Sequence, residues 1–130
     1  MSSEQTHRDR TTELGVIRIN NDAIATIASL AATEVRGVYS MGGGARGRIC
    51  DILCRRYSSK GVRIEMKESE VRLVVSIIVE YGMDIPRVAD EVQDSVKRAV
   101  EKMTGLIMSE VDVVVEGVHA PAADNIRKGV

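Results

Sequence analysis

The chain has 130 residues, of which 44% are apolar and 28% charged, enough for one hydrophobic core and too few for two. That excludes a multidomain enzyme. Eighteen Lys and Arg against nineteen Asp and Glu leave a net charge of -1, so the molecule as a whole is no polyanion binder and any basic patch must be local. With three Tyr and neither Phe nor Trp, it lacks the stacking platforms of single-strand nucleic-acid binders, and its core must be aliphatic.

Residues 1–13 are polar and read as a flexible tail, 14–119 as a single domain, and 120–130 as a second short tail. No signal peptide is expected at the polar start, and no apolar run approaches bilayer-spanning length, so no transmembrane segment is expected either. Cys50 and Cys54 stand four residues apart, where a helix would put both sulfurs on one face, and two thiols make no disulfide scaffold. A reducing cytoplasm suits them.

Gly15 to Ile19 alternates as a strand, and Asn20 or Asn21 offers a helix N-cap. Ile24, Ile27, Ala28, Ala31 and Val35 then recur at steps of three and four, predicting a core-facing helix ended by Gly37. Val38 to Met41 reads as a brief strand, Gly42 to Gly47 as irregular, and 48–57 as a short extra helix. Val62, Ile64 and Met66 alternate with charged residues, and after a polar turn Leu73, Val75, Ile77, Val79 and Tyr81 alternate again, which predicts a hairpin. The second of these strands is partly apolar on both sides and belongs in the middle of a sheet. Gly82, Asp84 and Pro86 mark the start of a second helix with a stripe from Ile85 through Val88, Ala89, Val92, Val96, Ala99 and Val100 to Met103, stopped at Gly105. Glu110 to Val118 alternates once more as the final strand.

This order predicts an α+β two-layer sandwich in which a four-stranded, mostly antiparallel sheet carries two main helices on one face, in the ferredoxin-like βαββαβ order. If Leu73, Val75, Ile77 and Val79 point inward, then Val16, Val74, Ile78 and Val114 point outward, ringed by Arg18, Arg72, Glu80, Asp112 and Glu116. An apolar patch with a charged rim is a contact surface, and these four residues are the candidate protein interface.

Chemistry is harder to find. Gly42 and Gly47 are spaced as in a phosphate-binding loop, but Arg48 and Ile49 stand where Lys and Ser or Thr are needed. Neither Cys50 and Cys54 nor His7 and His119 have a metal-ligand spacing, and no His sits in an acid–base setting. No catalytic residue, metal or cofactor is expected. Arg46, Arg48, Arg55, Arg56 and Lys60 crowd one stretch opposed only by Asp51, a candidate site for phosphate, an anionic lipid surface or a partner and the basis of an alternative reading as a nucleic-acid-binding regulator. Net charge and missing aromatics argue against nucleic acid. A third possibility, an enzyme using the Gly-rich loop and a thiol, requires retention of nucleotide or metal by the purified chain.

Gly15-x-Ile17-x-Ile19, the run I-A-x-I-A-x-x-A-A-x-E-V-x-G-V from Ile24 to Val38, I-V-E-Y-G from Ile78 to Gly82, I-P-x-V-A-x-x-V-Q from Ile85 to Gln93, and V-x-V-x-V-x-G-V-H from Val111 to His119 occur in order. Together they resemble the bacterial alkaline-shock, or envelope-stress-response, protein family. The resemblance implies a small, non-enzymatic cytoplasmic protein of mainly Gram-positive bacteria. It further implies recruitment to the inner membrane face through an integral-membrane anchor protein, and assembly with itself or with paralogues. Other members are tied to fatty-acid and lipid metabolism. No catalytic residues carry over, and the Arg-rich stretch with Cys50 and Cys54 departs from the family pattern.

Overall fold

A computed structural model of the chain describes residues 9–43, 61–67 and 70–121. In chain order these form β1 (Asp9–Thr12), β2 (Gly15–Arg18), α1 (Asn21–Thr33), β3 (Val38–Met41), β4 (Val62–Lys67), β5 (Glu70–Glu80), α2 (Ile85–Thr104) and β6 (Met108–His119). The architecture is α+β: a four-stranded, mostly antiparallel sheet of β3 to β6, two helices packed on one of its faces, and a separate two-stranded hairpin. The short helix expected over 48–57 lies outside the described residues.

β5 is the strand on which the sheet is built. Along one edge it pairs antiparallel with β4 over its first half (Val62↔Val75 to Lys67↔Glu70) and with β3 over its second (Val38↔Val79 to Met41↔Ile77). The handover falls at Ser76, whose N–H donates to Gly61 O at 2.8 Å and whose C=O accepts from Gly42 N at 2.8 Å. The other edge of β5 is filled by β6, parallel to it from Val71↔Met108 to Glu80↔His119, with α2 as the crossover that parallel pairing requires.

Sheet membership departs from expectation in one place. The segment 15–18 pairs with Asp9–Thr12, from Thr12↔Gly15 to Asp9↔Arg18, and takes no part in the main sheet. Four residues of the expected N-terminal tail are therefore strand. The reason is local: a two-residue connection closes this pairing at little entropic cost, whereas both edges of β5 are already occupied. The Thr12 hydroxyl reinforces the turn by accepting from Leu14 N at 3.1 Å.

The inward side chains of β5, Val71, Leu73, Val75, Ile77 and Val79, are fully buried, each contributing roughly 1.5–3 kcal/mol of apolar transfer. They meet a line of valines on α2, Val88, Val92, Val96 and Val100, spaced one helical turn apart. Ile85 and Met103, expected on that stripe, sit at the helix ends and are 37% and 69% exposed. α1 contributes mostly small residues, Ala25, Ala28, Ala31 and Ala32 beside Ile24, so it can lie close to α2, where Ser95 Oγ donates to Ala31 O at 3.0 Å.

Helix ends follow the expected chemistry with one exception. Asp84 caps α2 by accepting from Arg87 N, Pro86 lies in the first turn, and Gly105 closes the helix in the left-handed region. Asn20 holds the N-cap position of α1, but its side chain makes no cap hydrogen bond. α1 stops at Thr33, short of the expected end at Gly37, as the chain tightens through Val35 N donating to Ala32 O. Gly37 itself has φ +106°, and a Cβ there would lie 2.7 Å from Val88 Cγ2.

At the far end of α2, Glu101 Oε2 accepts from Met108 N at 3.0 Å and from Lys97 Nζ at 2.9 Å, tying the helix to the start of β6. The Met108 N–H, followed by Lys97, holds this carboxyl below its usual value of 4.5.

Gly37→Ala combines backbone strain with a clash and should cost about 2–4 kcal/mol, read as a lower urea midpoint at unchanged slope. Gly82→Ala, with a φ of +96° and open space around it, should cost less. Because folding lowers the Glu101 pKa, its contribution is fully present above pH 4.5 and is lost as pH falls through the depressed folded value. Glu101→Gln should therefore flatten the acid limb of a stability–pH curve, and an unchanged limb would refute the assignment.

Candidate functional site

Both helices lie against the inward side of the sheet, and the opposite side faces out. Alternation along β5 sends Arg72, Val74, Ser76, Ile78 and Glu80 to that side, all of them partly or fully exposed. The parallel register of β6 sets Glu110 beside Arg72, Asp112 beside Val74, Val114 beside Ser76 and Gly117 beside Ile78. Across the other edge, Glu65 lies opposite Arg72, Arg63 opposite Val74 and Ser40 opposite Ile78.

Three of the four candidate interface residues are thus brought together. Val74 and Ile78 flank Ser76 on β5, with Val114, 43% exposed, at its side. Val16 is not among them. It lies on the β1–β2 hairpin, 58% exposed, together with Ile17 and the turn residue Leu14. The same pairing takes Arg18 away from the expected charged rim, while Arg72, Glu80, Asp112 and Glu116 remain on it. Arg46, Arg48, Arg55, Arg56 and Lys60 lie outside the described residues.

The two ends of the face differ in charge. At the β4 end Arg72 is held by Asp112 through Nε (3.1 Å) and a second guanidinium nitrogen, by Glu65 (3.0 Å) and by Glu110 (3.2 Å). The Asp112 hydrogen bond and charge, aided by Glu65 and Glu110, raise its pKa above the usual guanidinium value. At the β3 end the ladder shifts register between Ile77 and Ile78, so that Glu116 is the extra residue of β6. Its carboxylate reaches across β5 to accept from Gly43 N at 2.9 Å. Gly42 leaves room for that crossing, since a Cβ there would sit 2.6 Å from Glu116 Oε1. Beyond it the Tyr39 and His119 rings stack at 3.8 Å, interplanar angle 5°, joining β3 to β6.

The Glu116 crossing and the ring stack are features that pattern reading missed. Gly117 inside an alternating strand is the available signal for the first, since a strand glycine often marks a bulge. Nothing local signals the second. Polar groups elsewhere are spent on structure: Gln93 Nε2, beside a shallow cleft between α2 and β6, donates to Val111 O at 2.9 Å. Among the described residues no three His, Cys, Asp or Glu side chains gather as a metal site, and no helix is long and apolar enough to cross a membrane.

Comparison with known proteins agrees with the sequence motifs. The protein YqhY of Bacillus subtilis (strain 168) is 30% identical over 113 residues, covering 87% of this chain and 82% of its own. YloU of the same organism is 33% identical over 110 residues, covering 83% and 92%. A stress response regulator gls24 homolog of Streptococcus pyogenes serotype M3 is 29% identical over 114 residues, covering 86% of this chain and 64% of its own. Among solved structures, a copper form of the MamM CTD superposes with a TM-score of 0.47 at 17% identity, covering 75% of this chain and 98% of that one. Residues 9–120 match the alkaline shock protein 23 family, whose function is cell envelope-related, and the chain belongs to that family.

Proposed function

We propose that this protein serves the envelope stress response by contact rather than catalysis. In this reading it is a cytoplasmic binding module, drawn to the inner side of the membrane by an integral-membrane partner. The observation that carries the reading is the bare sheet face, where Val74, Ile78 and Val114 stay partly exposed although the fold has two helices that could have covered them. Support comes from the envelope-related family and from the related stress regulators.

The partner-mediated part separates cleanly from direct lipid binding. Wild-type chain should sediment with native membranes, should fail to do so after those membranes are treated with protease, and should not bind vesicles of the extracted lipids. Ile78→Asp places a charge at the centre of the face and should lower membrane recovery at least tenfold, a loss of about 1.4 kcal/mol or more, with secondary structure intact. Equal recovery of a folded Ile78→Asp variant would sink the reading. Sedimentation velocity of the same pair tests where the self-association expected from the motifs lies: an oligomer of unchanged size in Ile78→Asp puts that contact elsewhere and leaves this face to the partner.

A further inference from the structure

The dimensions and charge of the bare face narrow what can sit on it. Because β3 and β4 share one edge of β5, the face is only three strands across, about 14 Å, and from Arg72 to Glu80 about 27 Å long. That is roughly 400 Å², half of the ~800 Å² that each partner contributes to a standard stable interface. One α-helix, 10–12 Å in diameter and about 18 residues long, would cover it.

Charge narrows the choice further. Cations at the β4 end are neutralised, since Arg72 alone faces Asp112, Glu65 and Glu110, and Arg63 lies 3.6 Å from Glu65. From Ser76 to Glu80 the outward strand positions hold Glu80 and Glu116, with His119 beside Glu80 and stacked on Tyr39, and, among the described residues, no Lys or Arg. These acids border Ile78 and Val114, the exposed apolar centre. Among the described residues both ends carry more carboxylate than cation, so a second such face, an anionic lipid surface or a nucleic acid would meet net negative charge in either orientation.

We propose that the bare face receives a single cationic amphipathic protein segment, its apolar stripe on Val74, Ile78 and Val114 and its Lys or Arg residues against Glu80 and Glu116. This rests on the contact function proposed above and specifies the chemistry of the partner.

The test uses the full chain and two labelled 18-residue peptides with the same Leu stripe, one flanked by Lys and Arg and the other by Glu. The cationic peptide should bind, shift the amide resonances of Val74, Ser76, Ile78 and Val114, and weaken as salt rises. Ile78→Asp or, as a second variant at a more exposed position, Val114→Asp should abolish binding. Glu80→Lys with Glu116→Lys should weaken it at least tenfold and favour the acidic peptide instead. Equal binding of both peptides, binding of neither, shifts confined to another surface, or preferential binding of anionic vesicles or duplex DNA at this face would overturn the proposal. If neither peptide binds while Ile78→Asp still abolishes membrane recovery, the partner chemistry is wrong and the contact function stands. If the cationic peptide binds the face while membrane recovery survives Ile78→Asp, the reverse holds.

Discussion

The structure depends on the saturation of β5. Both of its edges are hydrogen-bonded along their length, by β6 on one side and by β4 and then β3 on the other, and every inward side chain from Val71 to Val79 is buried. A strand paired on both edges and buried on one face has no register freedom, because a slip of one residue would turn its whole apolar set toward water. The remaining elements arrange themselves around that fixed ladder. α2 must cross over the inward face because β6 runs parallel to β5, and the 15–18 strand, with both edges of β5 taken, pairs with the chain that precedes it.

Legibility follows from the range of the interaction involved. The α2 stripe, the β4–β5 hairpin and β6 could be read directly, because a period of 3.6 or 2 sustained over many residues reports which side of an element is apolar. The same periodicity marks Gly15 to Ile19 as strand, observed over Gly15–Arg18, without revealing its partner, which depends on competition for the edges of β5. Hence alternation suffices to put Val74, Ile78 and Val114 on one face of the sheet, whereas Val16 lies on the β1–β2 hairpin. The Glu116 crossing and the Tyr39–His119 stack join residues more than seventy positions apart and require the register of both strands to be known.

The composition shapes the packing. The buried core is aliphatic, of Val, Leu, Ile and Ala with Met108, and α1, built largely of alanine, lies close against α2. On the opposite side of the sheet the outward face has an ion-paired end at Arg72 and an acidic, apolar end at Ile78.

The handover of β5 from β4 to β3 at Ser76 has a topological corollary. Gly42 and Gly61 bond to the two backbone groups of one residue, so the polypeptide departs from the sheet and rejoins it at a single point. Closing a loop between two fixed, adjacent ends becomes only slowly more costly as residues are added. The stretch between these glycines can therefore differ in length and character from one homologue to another while the sheet stays the same, which makes this junction a natural place for diversification and for grafting foreign sequence.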